Sequence, residues 1–348
     1  MIVNEETVKY PNLYDISFKV TEPEYRADEA YSASQIGSYQ RDGIEEVAKS
    51  TSSLLAGSVL DTLCTDVENF YSLFEIADVT LPTEGLKDIA EEFISAGKAL
   101  YECTDEEIYV TAMKNNYGAS NWKVSTVVDK VKNGIGEYVE LMVKSGREGK
   151  RIITPKMFLD ATEMKSILID RYPDLFNKEL PDHQEVYYQL KFKAPITFGK
   201  ENSTILYLRS MLDIIKVDHE KKTITPIDLK TKWDKEEQFV DSFFKWRYVY
   251  QSGIYSWIIN KAIIGTPFSE YIVEPFQFIV ISNNSRRPFR FEVKPDVPFN
   301  MRDYKYNGEV IPNWVNVLYD MHVTRTEGRK YKLCENNGFM NIELKNYI

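Results

Sequence analysis

The chain has 348 residues, 43% of them hydrophobic and 13% aromatic, which is enough apolar material for a sizeable core and excludes an intrinsically disordered chain. Its formal charge of −10 excludes a uniformly basic nucleic-acid binder, but the charge is unevenly placed: residues 1–185 hold 19 basic and 34 acidic side chains, and residues 186–348 hold 24 and 19. Any polyanion is therefore expected to meet the second part, with the acidic first part facing solvent or a partner.

In chain order, residues 1–30 read as irregular, with Pro11 and Pro23 as breakers. The run Tyr31-Ser32-Ala33-Ser34-Gln35 predicts a helix start, because its serines can cap the first turn. A second helix is predicted from Leu54 to Val67, with Gly57 and Ser58 permitting close packing and Asp61 near its buried side. Residues 86–172 show apolar spacings of three and four, so they read as helical, with breaks at Gly118, Gly146 and Gly149. Asn115-Asn116-Tyr117-Gly118 with Trp122 reads as a turn and a packing aromatic.

Beyond Pro181 the period changes to alternation. HQEVYYQLKFKAPITF predicts a strand with Glu185, Tyr187, Gln189 and Lys191 on one face. LYLRSMLDIIKV and TITPIDLKT follow as two strands joined by the polar turn Asp218-His219-Glu220-Lys221-Lys222. Asp213 interrupts the first, and Asp228 and Lys230 share a face of the second. Buried carboxylates need a counter-charge or a cation, so the pattern reads either as a salt-bridged hairpin or as a site. One apolar helix is predicted from Gln238 to about Ile264, with Arg247, Gln251 and Tyr255 spaced four apart on one stripe. Two more strands, EPFQFIVISN and RRPFRFEV, and a helix around Asn313 to His322 complete the chain.

Three dispersed cysteines, Cys64, Cys103 and Cys334, suit neither a disulfide framework nor a four-thiolate iron–sulfur cluster, so no such cluster is expected. The three histidines lack zinc-ligand spacing. No apolar run reaches the length of a membrane span, and the N-terminus lacks the pattern of a secretory signal, so neither is expected. The order of elements predicts an α/β fold, a mixed central β-sheet flanked by helices. Three parts are expected: an N-terminal helical part over 1–84, a helical insertion over 85–182, and an α/β core over 183–348.

The order Glu185, Asp213, Asp228-Leu229-Lys230, then Gln251-x-x-x-Tyr255, resembles the PD-(D/E)XK nuclease superfamily, and within it the RecB/RecE-like exonuclease branch of phages and their hosts. Tyr31-Ser32-Ala33-Ser34-Gln35 is similar to the S-x-S helix start of that branch. The run from Gly57 to Leu63 is similar to its G-x-x-x-H-x-L helix, except that Asp61 stands where the family has histidine. The resemblance covers about residues 31–70 and 183–295.

It implies a restriction-endonuclease-like core and metal-dependent hydrolysis of DNA, as an exonuclease on linear duplex ends in phage recombination or replication. An endonuclease of the same superfamily, and a catalytically inactive nuclease-fold protein that binds DNA or serves as a structural partner, are the alternative readings. Mg²⁺ or Mn²⁺ is the implied cofactor, with Asp61, Asp213, Asp228 and the Leu229 carbonyl as metal ligands. Glu185, Asp213, Asp228, Lys230, Gln251 and Tyr255 are the implied catalytic set, and Ser34 and Arg247 the implied DNA contacts. The further implied partners are a recombination or single-strand annealing protein and other copies of this chain in a homo-oligomer. A cytoplasmic location follows, that of the host cell if the gene is a phage's.

Overall fold

The computed structural model describes residues 10–43, 52–78, 80, 82–118, 121–176, 179–199, 204–232, 235–294 and 302–327. In chain order its elements are α1 (Glu22–Ala27), β1 (Tyr31–Ser32), α2 (Ala33–Asp42), α3 (Ser52–Thr65), α4 (Phe70–Leu73), β2 (Phe74–Ile76), α5 (Glu84–Ser95), α6 (Asp105–Lys114), α7 (Val124–Arg147), β3 (Arg151–Ile153), α8 (Pro155–Arg171) and α9 (Pro173–Phe176). They continue with β4 (Gln184–Phe198), β5 (Thr204–Asp218), β6 (Thr223–Lys232), α10 (Phe239–Lys245), α11 (Tyr248–Ala262), β7 (Ile272–Val273), β8 (Gln277–Ser282), β9 (Phe289–Glu292), β10 (Tyr304–Tyr306), β11 (Glu309–Ile311) and α12 (Trp314–Thr326). The fold is mixed α/β, with parallel and antiparallel strands in a central sheet flanked by helices.

The chain forms two compact units, one of Met1–Gly57 with Met164–Ile348 and one of Ser58–Glu163. The boundaries expected at 84/85 and 182/183 fall inside the second and first unit respectively. No helix among the described residues is long and apolar enough to cross a membrane. The C-terminal tail from 328 onward, with Cys334, lies outside the described residues.

In the first unit a seven-stranded sheet runs in the order β1-β5-β6-β8-β9, with β4 added on β5 and β7 on β6. The β4/β5 and β5/β6 pairs are antiparallel and the β6/β8 pair is parallel. A parallel pair needs a crossover, and here α10 and α11 supply it. Helix α11 buries Val249, Tyr250, Ile254, Ile258 and Ile259 in one core with Ile215, Val217, Ile224, Phe278 and Val280 of the sheet. That cluster excludes water from one sheet face and fixes where the polar side chains of α11 emerge.

Several local features depart from the sequence expectations for identifiable reasons. Pro23 opens a helix instead of breaking one: it occupies the first turn of α1, where its missing N–H is not needed, and Thr21 and Glu24 close a capping box ahead of it. The Ser32 hydroxyl caps α2 by accepting from Gln35 N, so the helix begins at Ala33 and Tyr31 pairs into the sheet opposite Leu208. The expected single helix from 238 to 264 is two helices meeting at Trp246-Arg247, because Arg247 takes a left-handed conformation with φ +61°. In β4 the expected face of Glu185, Tyr187, Gln189 and Lys191 does not persist. Tyr187, Leu190, Phe192 and Ala194 enter the core, and the change of face falls at Gln189, whose φ is +52°.

The second unit contains a helical core from α5, α6 and α7, with Leu86, Ile89, Phe93, Ile108, Val131, Ile135 and Val139 buried together. It also holds a parallel pair of short strands, β2 with β3, that the helical reading of this region did not anticipate. The turn at 115–118 forms as expected: Asn116 and Gly118 both have positive φ, and a Cβ on Gly118 would stand 2.9 Å from Met113 Cε.

Candidate functional site

Strand β5 is paired along one edge with β4 from Thr204 to Asp218. Its second edge pairs with β6 over Ile214–Asp218 and with β1 at Leu208 and Arg209. Asp213 stands where β6 diverges from β5, a place where backbone groups lose their ladder partners. There its carboxylate Oδ2 accepts the Leu229 backbone N–H at 2.9 Å. The fork is thus closed by a side chain, and that contact ties Asp213 to the residue between Asp228 and Lys230.

Asp228 is 2% exposed. Its Oδ1 accepts a hydrogen bond from Gln251 Nε2 of α11, and its Oδ2 lies 2.5 Å from Lys230 Nζ. The Lys230 side chain retains 22% exposure, and its ammonium sits 4.9 Å from the centroid of the Tyr248 ring. Burial on its own pulls the Lys230 ammonium down, but the Asp228 carboxylate, then Tyr248 and Asp213, outweigh it and hold the pKa above the ordinary lysine range. Tyr255, one helical turn beyond Gln251, is raised well above the usual phenol value, first by burial, then by Tyr25 and by the Asp228 and Asp213 carboxylates. The site therefore holds a permanent cation and a neutral phenol beside two carboxylates.

The structure brings together Asp213, Asp228, Leu229, Lys230, Gln251 and Tyr255. Glu185 is placed elsewhere: it lies opposite Val217 in the β4/β5 ladder, and not opposite Asp213. The Glu185 carboxylate accepts from Tyr187 Oη and lies 3.3 Å from His219 Nε2. Arg247 is not an open phosphate contact. It is 8% exposed, precedes α11 instead of sharing its stripe, and donates to the Phe244 carbonyl and to Gln40 Oε1. Ser34 is exposed on the first turn of α2, 3.2 Å from the Ser32 hydroxyl.

Gly57, on the part of α3 within the first unit, approaches β6 so closely that a Cβ there would stand 3.1 Å from Thr231 Oγ1. Asp61 belongs to the second unit, where Thr65 Oγ1 donates to its carbonyl at 2.8 Å and to its carboxylate at 3.4 Å. Tyr248 is a member of the site that the motif spacing did not single out. Its signal was present, since a residue three before Gln251 on a helix lies beside it.

Among the described residues, no group of three or more His, Cys, Asp or Glu side chains is arranged to hold an ion. Two carboxylates do not make a closed cage of the zinc or calcium kind. They fit Mg²⁺ or Mn²⁺, hard cations that are commonly held by one or two carboxylates and complete their shell with water and substrate phosphate. The donor chemistry supports that fit: two carboxylates, Asp213 and Asp228, stand beside the Leu229 backbone, with Asp228 Oδ2 meanwhile taken up by the Lys230 ammonium.

No protein-family model matches the chain, and no curated protein matches it. Among solved structures, that of SSO0001 aligns over 70% of this chain and 85% of its own at 13% identity, with a TM-score of 0.26. A similarity of that size defines no shared fold.

Proposed function

We propose that this chain is a divalent-metal-dependent deoxyribonuclease with a restriction-endonuclease-like core, acting as an exonuclease on linear double-stranded DNA. The observation that carries this reading is the buried Asp228, joined to Lys230 on its own strand and to Gln251 on the next helix, with Asp213 bonded to the intervening Leu229 N–H. A hairpin stabilised only by charge gains little from such an arrangement, because removing the Asp228 carboxylate from water is expensive. Concentrating them at the point where two strands separate instead leaves acidic oxygens and a cation where a phosphate can approach.

Hydrolysis forms a bond from a water oxygen to phosphorus and breaks the bond from phosphorus to the leaving sugar oxygen, with negative charge growing on the non-bridging oxygens. Asp213, Asp228 and the Leu229 carbonyl would hold Mg²⁺ or Mn²⁺, which supplies charge neutralisation and a water of lowered pKa. The Lys230 ammonium, held against Asp228, stands where it can donate toward the water or the phosphate. Gln251 fixes the Asp228 carboxylate, and the Tyr248 ring confines the Lys230 ammonium. Tyr255 stays protonated and offers its O–H. Residues 186–348, which include Asp213, Asp228 and Lys230, hold 24 basic and 19 acidic side chains, and that excess suits an approach of DNA to these strands.

Purified protein incubated with linear, nicked and covalently closed DNA in Mg²⁺ tests the reading. Degradation of the linear form alone is expected. Cleavage of closed circles would make it an endonuclease, and binding of DNA without cleavage in either Mg²⁺ or Mn²⁺ would make it a nuclease-fold binding protein.

A further inference from the structure

Trp246 fills the turn between α10 and α11 and is 47% exposed, although its neighbours Phe239 and Phe243 are buried in the core. Two cations lie close to its ring, the Arg41 guanidinium at 5.1 Å from the centroid and the Lys245 ammonium at 5.2 Å. Arg41 is held in place at the end of α2 by Asp42 at 2.7 Å and the Ser38 hydroxyl at 3.1 Å. Two residues further along, the Tyr248 ring carries the Lys230 ammonium. The indole therefore sits at the entrance to α11, the helix that delivers Gln251 to Asp228.

We infer that Trp246, with Arg41 and Lys245, is a stacking platform for an unpaired base of a single-stranded nucleic acid, the two cations meeting the adjoining phosphates. Large aromatics are normally withdrawn from water, and a half-open indole beside two positive charges has the composition of a base-and-backbone contact. Every base offers a π face, so this contact would be tolerant of sequence, as an enzyme that degrades any end requires. The link to degradation rests on the proposed nuclease activity; the binding itself does not.

The test uses the full chain in EDTA, where nothing is cleaved, and the fluorescence anisotropy of a labelled oligothymidine of about 12 nucleotides. Trp246→Ala is expected to weaken binding by about 10-fold or more, and Trp246→Phe to retain most of it. Replacing Arg41 and Lys245 together by alanine should reduce the dependence of log K on log salt by about 1.4 units. Binding by Trp246→Ala within twofold of the unaltered protein, or no binding by the unaltered protein, would overturn the inference and leave the patch as a protein-docking surface. Cleavage of linear duplex with Trp246-independent binding would sink the platform and spare the nuclease. Trp246-dependent binding without cleavage would do the reverse.

Discussion

The Lys230 ammonium lies 2.5 Å from Asp228 Oδ2, and the two residues share one face of β6 with only Leu229 between them. The pair is asymmetric, since Asp228 is almost wholly buried and Lys230 reaches the surface. Lys230→Met should therefore leave an uncompensated buried carboxylate and lower stability by about 2–3 kcal/mol. Adding Asp228→Asn removes that charge and should recover about 1 kcal/mol or more of the loss, while neither variant regains activity. Urea unfolding of the two single variants and the double variant checks this. Strictly additive losses would mean that the two side chains do not act as a pair.

Arg247 is expected to matter for folding and not for contact with DNA. Its guanidinium joins the Phe244 carbonyl at the end of α10 to Gln40 of α2, and a Cβ on Gly37 would stand 3.3 Å from the Arg247 Cβ, so α2 and this junction are tightly apposed. Arg247→Ala should lower stability by about 1.5–3 kcal/mol, the range for hydrogen bonds made by a charged group. The slope of DNA affinity with salt should stay unchanged. A variant of full stability with a shallower slope would return Arg247 to the phosphates.

His322 gives the first unit a pH dependence with a definite sign. Its Nδ1 is 3.1 Å from Tyr31 Oη, and burial, followed by the Arg325 charge, lowers its pKa. The unfolded chain, titrating near the ordinary value of about 6.5, then binds more protons than the folded one over the interval just below that value. Stability should accordingly rise with pH through that interval and level off above it. Thermal midpoints between about pH 5 and 7 should show the rise, and His322→Gln should remove its share of it. An unchanged slope in the variant would assign the dependence to other groups.

How far the molecule can be read from its residues depends on whether a feature is local. The β5-β6 hairpin was legible because branched residues alternate on both sides of a polar turn, and Asp228 and Lys230 share a face by the two-residue period of any strand. The cap at Ser32 was legible for the same kind of reason, a hydroxyl three residues before a glutamine. The β10-β11 hairpin turns on a signal just as local, Asn307-Gly308 with φ +50° and +83°.

The break at Arg247 was not legible. Its left-handed backbone is held by Gln40, more than 200 positions away, and by a packed neighbour at Gly37. The partner of Glu185 could not be read from its own strand, because strand alternation sets a face but not a register. Only the β4/β5 pairing shows that Glu185 lies opposite Val217 and not opposite Asp213. The parallel pairing of β2 with β3 joins three-residue segments from opposite ends of the second unit, too short to carry a pattern of their own.

The central claim is that Asp213, Asp228 and Lys230 form a site of metal-dependent phosphodiester hydrolysis. The initial rate of nucleotide release from an end-labelled linear duplex in Mg²⁺, measured for the unaltered chain and for Asp228→Asn, tests it most directly. The account predicts release that EDTA abolishes and that Asp228→Asn reduces by about 10²–10³-fold or more. Release that persists at an undiminished rate in Asp228→Asn, or no release from the unaltered chain in Mg²⁺ or Mn²⁺, would contradict it.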